Sequence, residues 1–158
     1  MILKTLAGLV CALALVIAAG VSGFTFTIWP TFIADQPLEV TPRMLSELAA
    51  LKQERKFLMD TKVFYPGARN EAERVACQAA VDAVIDSVVR ELPKAPRSAT
   101  VLGIFKQALS SFDTLESEER DQFLVYLQRV MRIAGVSSSH ELFNVWRYGF
   151  PYGWLIRT

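Results

Sequence analysis

Three observations predict an all-α fold, an N-terminal transmembrane helix followed by a compact bundle of about five helices. Thirty consecutive residues, from Thr5 to Ala34, carry no charge. Beyond Pro42, apolar residues recur at the i, i+3, i+4 spacing of helices, between recognisable cap and stop residues. Nowhere does a segment alternate apolar and polar residues as a half-buried strand requires.

The first element is the apolar one. Residues 6–21 are almost wholly Leu, Ala, Val and Ile, and a hydrocarbon core needs about 20 such residues. Lys4, the apolar run and the small residues Ala18, Gly20, Ser22 and Gly23 also fit a secretory signal cleaved near Gly20 or Ser22. A signal core spans only about 7–15 residues, whereas Phe24, Phe26, Ile28 and Trp29 prolong this one, which favours an uncleaved anchor over residues 1–28. Lys4 on one side, and Asp35 and Glu39 ahead of Arg43 on the other, place the body outside the cytoplasm. The expected location is the inner membrane, single-pass, with the body in the periplasm; the alternative is release into the periplasm after cleavage. Cys11 is read as a thiol within the span, because Val10 is not the small residue that lipid-attachment cleavage wants just before the cysteine. Pro30, Pro37 and Pro42 punctuate a neck over residues 29–41.

The helical body is expected over 42–149. Thr41 followed by Pro42 is a capping hydroxyl and a residue lacking a donor where none is needed. Met44, Leu45, Leu48, Leu51, Phe57 and Leu58 then suggest a helix over about 42–59. Residues 62–68, with Tyr65, Pro66 and Gly67, read as a connector. Asn70, with Glu73 three residues on, opens a second helix, in which Cys77, Val81, Val84, Ile85, Val88 and Leu92 share a face until Pro93. Cys77 on that face is expected to be buried and inert. Ser98 is the expected cap of a third helix, with Val101, Phe105, Leu109 and Phe112 facing inward. Thr114 and Ser117, beside Glu116, Glu118 and Glu119, are expected to open a fourth, which ends at Gly135. Ser138 with Glu141 forms an SxxE box for a last helix to Tyr148, closed by Gly149. The tail over 150–158, with Tyr152 and Trp154, is apolar and aromatic and is expected to fold back over the bundle.

Composition excludes more than it identifies. Seventeen Lys and Arg against sixteen Asp and Glu leave a formal charge of +1, too balanced to draw the chain to nucleic acid. One histidine and two cysteines cannot supply the usual triads or multi-ligand zinc sites. His140 and Glu141 begin an HExxH pattern, but Asn144 stands where the second histidine is required. Ser137, Ser138 and Ser139 lack a nucleophile-elbow context. Asp82 and Asp86 are i, i+4 neighbours, with Arg90 one turn beyond Asp86 as its intrahelical partner. The acids from Asp113 to Asp121 lack the glycine and ligand spacing of a calcium loop and are read as complementing a helix dipole. No phosphate-binding glycine loop occurs. No cofactor, metal or catalytic residue is therefore expected.

Phe112 and Asp113, the acidic stretch ending in Glu119 and Arg120, then Tyr126, Met131, Gly135, Ser137, Ser138, Leu142, Asn144, Tyr148 and Gly149 carry a likeness. Over roughly residues 101–149 the chain resembles the bacterial family catalogued as domain of unknown function 4844. The resemblance implies a helical domain and no catalytic residue. Arg120 and Asn144 are the polar positions expected to act as buried braces between helices.

The function expected is that of a membrane-anchored extracytoplasmic domain, non-catalytic, that binds or scaffolds an unidentified protein. Arg147, Tyr152, Trp154 and Arg157 are the candidate contact residues, of types enriched at the energetic centres of interfaces. One version is an envelope immunity protein that neutralises a toxin. The rival is an envelope hydrolase using paired carboxylates, which needs two of them converging in a cleft with one pKa raised.

Overall fold

The computed structural model describes residues 2–28, 35–62, 64–112 and 116–148, with the side chains of the first helix described over residues 8–21. Six helices follow one another, and among the described residues there is no β-strand: α1 (Ile2–Ile28), α2 (Pro42–Gln53), α3 (Glu71–Glu91), α4 (Ser98–Ser111), α5 (Ser117–Ala134) and α6 (Leu142–Tyr148). Every described side chain of α1 is exposed, Leu9, Leu13, Val16 and Ile17 among them. Among the described residues no helix is long and apolar enough to cross a membrane.

The neck is tied to the body. Gln36 N–H donates to Ser98 Oγ at 2.8 Å and Leu38 N–H to the Pro96 carbonyl at 2.8 Å. Asp35 then takes the role expected of Ser98. Its Oδ1 accepts the Ala99 N–H at 2.9 Å and the Ser98 hydroxyl at 3.1 Å, while Arg97 pairs with Oδ2. Ser98 is the first helical residue, and its side chain is buried under the neck. Burial raises the Asp35 pKa, but the Ala99 N–H, Arg97 and Ser98 outweigh it and hold the carboxyl below its ordinary value.

α2 begins as expected, with Thr41 Oγ1 accepting the Met44 N–H at 3.1 Å. It stops six residues short of the expected end, at Gln53, because Lys56 turns back and donates from Nζ to the Lys52 and Glu54 carbonyls at 2.9 and 3.0 Å. Those carbonyls lack helical partners at a C-terminus, so a cation satisfies them and complements the dipole. Phe57 leaves the α2 stripe, adopts φ +58° and buries itself against Tyr65 and Tyr126.

α3 is the central helix and packs on α2, α4 and α5. Asn70 caps it through the Glu73 N–H at 2.9 Å, and Cys77, Val81, Ile85 and Val88 are buried on one face. Burial, helped by Glu119 and Glu73, pushes the Cys77 thiol up to about 11. α2 runs antiparallel to α3, as an interhelical ion pair, Lys52–Asp86 at 2.6 Å, and one from just beyond the end of α2, Lys56–Asp82 at 2.7 Å, require. The expected Asp86–Arg90 pair does not form; Arg90 binds Glu91 and Ser87 instead.

α5 lies across this pair. Its N-cap is Glu116, without a side-chain cap bond, and Ser117 is already helical with its hydroxyl donating to Glu118, so the expected Ser117 cap is replaced; Thr114 lies outside the described residues. At the other end Gly135 sits at φ +76°, and the Val136 N–H reaches back to the Met131 carbonyl at 2.9 Å, the left-handed stop that glycine permits. Phe112 stacks on Phe123 at 3.9 Å and Phe105 on Phe143 at 6.0 Å, joining α4 to α5 and α6. The expected SxxE box is not made. Ser138 accepts the His140 N–H, His140 and Glu141 take φ +46° and +70°, and the Glu141 carbonyl receives Val145 as α6 begins.

Candidate functional site

Antiparallel α2 and α3 place the segment 54–69 at the end of the body opposite the neck, which is bonded to the α3–α4 connector. Three bonds fix where that segment starts. Lys56 is wholly buried: its backbone N–H donates to Gln78 Oε1 at 3.1 Å, its carbonyl accepts Arg74 Nη1 at 3.2 Å, and its ammonium holds Asp82. Tyr126 Oη receives the Phe57 N–H at 3.2 Å, and Ala68 N–H donates to the Phe57 carbonyl at 3.2 Å. Asp60 and Tyr65 exchange both backbone bonds, at 2.9 and 3.0 Å, and Asp60 Oδ1 accepts the Lys62 N–H. Gly67, at φ +90°, lies so close to the chain that an added Cβ would meet Met59 N at 3.0 Å. At the base, Arg69 pairs with Glu116 at 2.7 Å and joins the loop to α5.

This closely bonded loop turns apolar side chains outward. Leu58 is 44%, Met59 70% and Phe64 94% exposed, and Phe64 is held at φ +57°. A bulky residue in the left-handed region costs on the order of 1–3 kcal/mol, and a loop held by backbone bonds does not collapse to hide its apolar tip. The sequence reading divided this segment between a helix stripe and a turn and missed the display. Its one local signal was Lys56, a cation at an inward position of the presumed stripe.

The sequence-predicted contact residues are not brought together here. Arg147 pairs with Asp121 at 2.5 Å, its guanidinium 5.3 Å from the Tyr148 ring, so it is engaged within the domain. Tyr152, Trp154 and Arg157 lie outside the described residues, as does the expected fold-back of the tail. Arg120 lies between α5 and α6, 4.4 Å from the Trp146 ring and donating to the Trp146 carbonyl at 3.2 Å. Asn144 makes no such bridge. It is exposed and donates to Glu141, just ahead of its own helix, because that face of α6 points away from the core.

The carboxylates expected of a hydrolase are distributed differently. Asp82 and Asp86 are each taken by a lysine of the α2 end. Glu116, Glu118 and Glu119 converge, with carboxylate oxygens all within 4.8 Å of one another. Glu119 is buried, and burial, then Glu73, Glu116 and Glu118, raise its pKa against the pull of its own backbone N–H. An open hollow of about 490 Å³ lies elsewhere, at the last turn of α5 against Met131, Gly135 and Ser137.

Fold and site together define a small all-α domain that is braced by interhelical ion pairs and displays a bonded apolar loop. The chain belongs to the family described as a domain of unknown function, DUF4844, whose model matches residues 39–151, the whole helical body and not only its second half. Among solved structures, a DUF3571 family protein from Acinetobacter baumannii is similar, with TM-score 0.62 and 23% identity over 72% of this chain and 95% of that one. That likeness is one of fold. No curated protein matches the chain.

Proposed function

We propose that the chain is a membrane-anchored helical domain, standing outside the cytoplasm, that binds a partner protein and carries out no turnover. The observation that carries the binding reading is the loop tip. Phe64 is 94% exposed beside Met59 and Leu58, on backbone held by reciprocal hydrogen bonds. Apolar side chains carried on a hydrogen-bonded backbone enter a partner's pocket with less loop ordering to pay, which is how interface anchors act. The tip points away from the neck, so its partner is a protein and not the bilayer that holds the anchor.

The anchor reading rests on α1. Its one charged residue is Lys4, and all its described side chains are apolar and exposed. Such a surface wants an apolar environment. The bias of Lys4 against Asp35 and Glu39 supports the outside placement. The non-catalytic reading is supported by the lysine pairing of Asp82 and Asp86, and by the hollow's position at the opposite end of α5 from the converging glutamates.

A photo-crosslinking amino acid at position 64, in the full chain in its own membrane, tests the binding reading. One discrete adduct is expected, absent when the probe stands at exposed Ser46 on α2 and lost when Met59→Ser accompanies it. Absence of any adduct at 64 sinks the reading. An adduct from Trp154 alone would move the contact to the tail, and a toxic protein in the adduct would identify immunity. Alkaline carbonate extraction checks the anchor: the chain should stay with the membrane pellet.

A further inference from the structure

Acidic residues at the start of α5 are ordinary in themselves, since a helix N-terminus favours negative charge. Glu116 and Glu118 are exposed and need nothing more. Glu119 is different. Its side chain is 2% exposed, and its Oε2 is buried with no hydrogen-bond partner. A buried carboxylate oxygen with unused lone pairs is costly, and an oxygen of this same carboxylate stands within 4.8 Å of one from each of Glu116 and Glu118.

Among the described residues Arg69 is the cation that pairs at this cluster, with Glu116 at 2.7 Å and with Glu73 at 3.2 Å. From the 54–69 loop and α3, Tyr65 and Cys77 face the same group. Burial keeps both protonated and neutral, so neither supplies a counter-charge.

We propose that Glu116, Glu118 and Glu119 form a binding site for one divalent cation of calcium type at the start of α5. The donors are all carboxylate oxygens, which suit a hard cation. Oxygens within 4.8 Å of one another can share one coordination shell, and calcium, with flexible geometry, accepts such a partial set with water, whereas magnesium demands near-ideal octahedral geometry. Glu119 supplies the inner oxygen, Glu116 and Glu118 the outer ones, and water fills the exposed side. Arg69 competes for Glu116, and protons compete for Glu119.

The full chain in detergent micelles, titrated with calcium chloride at pH 7.5 against magnesium chloride and an ionic-strength match of sodium chloride, tests the site. Calorimetry should count one calcium per chain, and the melting temperature should rise by several degrees with calcium and by less with magnesium. Glu118→Gln, an exposed change that leaves the core intact, should weaken binding about tenfold. Glu119→Gln should abolish it while the far-ultraviolet dichroism stays that of the parent, and Arg69→Ala should tighten it. No heat and no shift up to about 10 mM calcium would overturn the site. So would a shift that sodium chloride reproduces, or one that persists in both glutamine variants.

Discussion

Lys56 is the most consequential single side chain in the body. Its ammonium is wholly buried, whereas Asp82 keeps a fifth of its side chain in solvent. The two ends of this ion pair should therefore respond unequally to substitution. Asp82→Asn leaves a buried cation facing neutral acceptors and no counter-charge and should cost about 3 kcal/mol in urea unfolding, in the range for breaking a buried pair. Lys56→Met leaves a carboxylate that can turn to water and an apolar chain that fills the space, and should cost less, about 1–2 kcal/mol. Glu119 has the opposite sign to an ordinary surface acid. Its folded pKa is raised, so its contribution to stability is complete below the unfolded value and disappears as pH rises through the folded one. In calcium-free buffer Glu119→Gln should raise the melting temperature at pH 7.5 and have little effect near pH 4. Asp35 behaves inversely: its lowered pKa contributes stability above the unfolded value that fades as pH falls through the folded one. Asp35→Ala should cost about 1 kcal/mol at pH 7, the worth of a helix cap.

Helices were legible wherever one face and one cap agreed. Asn70 with the Cys77–Val81–Ile85–Val88 face gave α3, Thr41–Pro42 gave the start of α2, and Gly135 gave the end of α5. What escaped reading was supplied from far along the chain. Asp35 caps α4 from a neck 64 residues before Ala99, and Lys56 ends α2 because Asp82, 26 residues on, receives it. Local spacing holds no record of either. The display loop was hidden for the same reason: Phe57 and Leu58 fit a helical stripe until Lys56 breaks it. Gly67 tests that loop as a unit. Gly67→Ala would drive a Cβ into the Met59 backbone at a positive φ, so it should cost more than 1 kcal/mol and remove the position-64 adduct together with the Asp60–Tyr65 bonds. α6 is held by the Trp146 indole on the Leu109 carbonyl at 2.9 Å and by Arg120 over its ring. Trp146→Ala should loosen α6 alone, seen as faster amide exchange at Val145 and Arg147 with the α3 amides unchanged.

On the function proposed above, the two ends of the molecule have different tasks. One carries the neck, the Asp35 clamp and α1; the other carries Phe64 and, beside it through Arg69, the glutamates at the start of α5. A chain beginning at Asp35 keeps every bond of that clamp, and it should fold, lose its hold on membranes and keep the melting curve of the parent body. Only six residues, 29–34, separate the end of α1 from Asp35. Seven Cα steps at about 3.6 Å each span no more than about 25 Å. With α1 as the proposed anchor, the domain would search a thin layer and meet its proposed partner in two dimensions. Its occupancy is then set by how many copies share a patch of membrane, and a weak contact at Phe64 can be fully used there while failing every pull-down from dilute detergent.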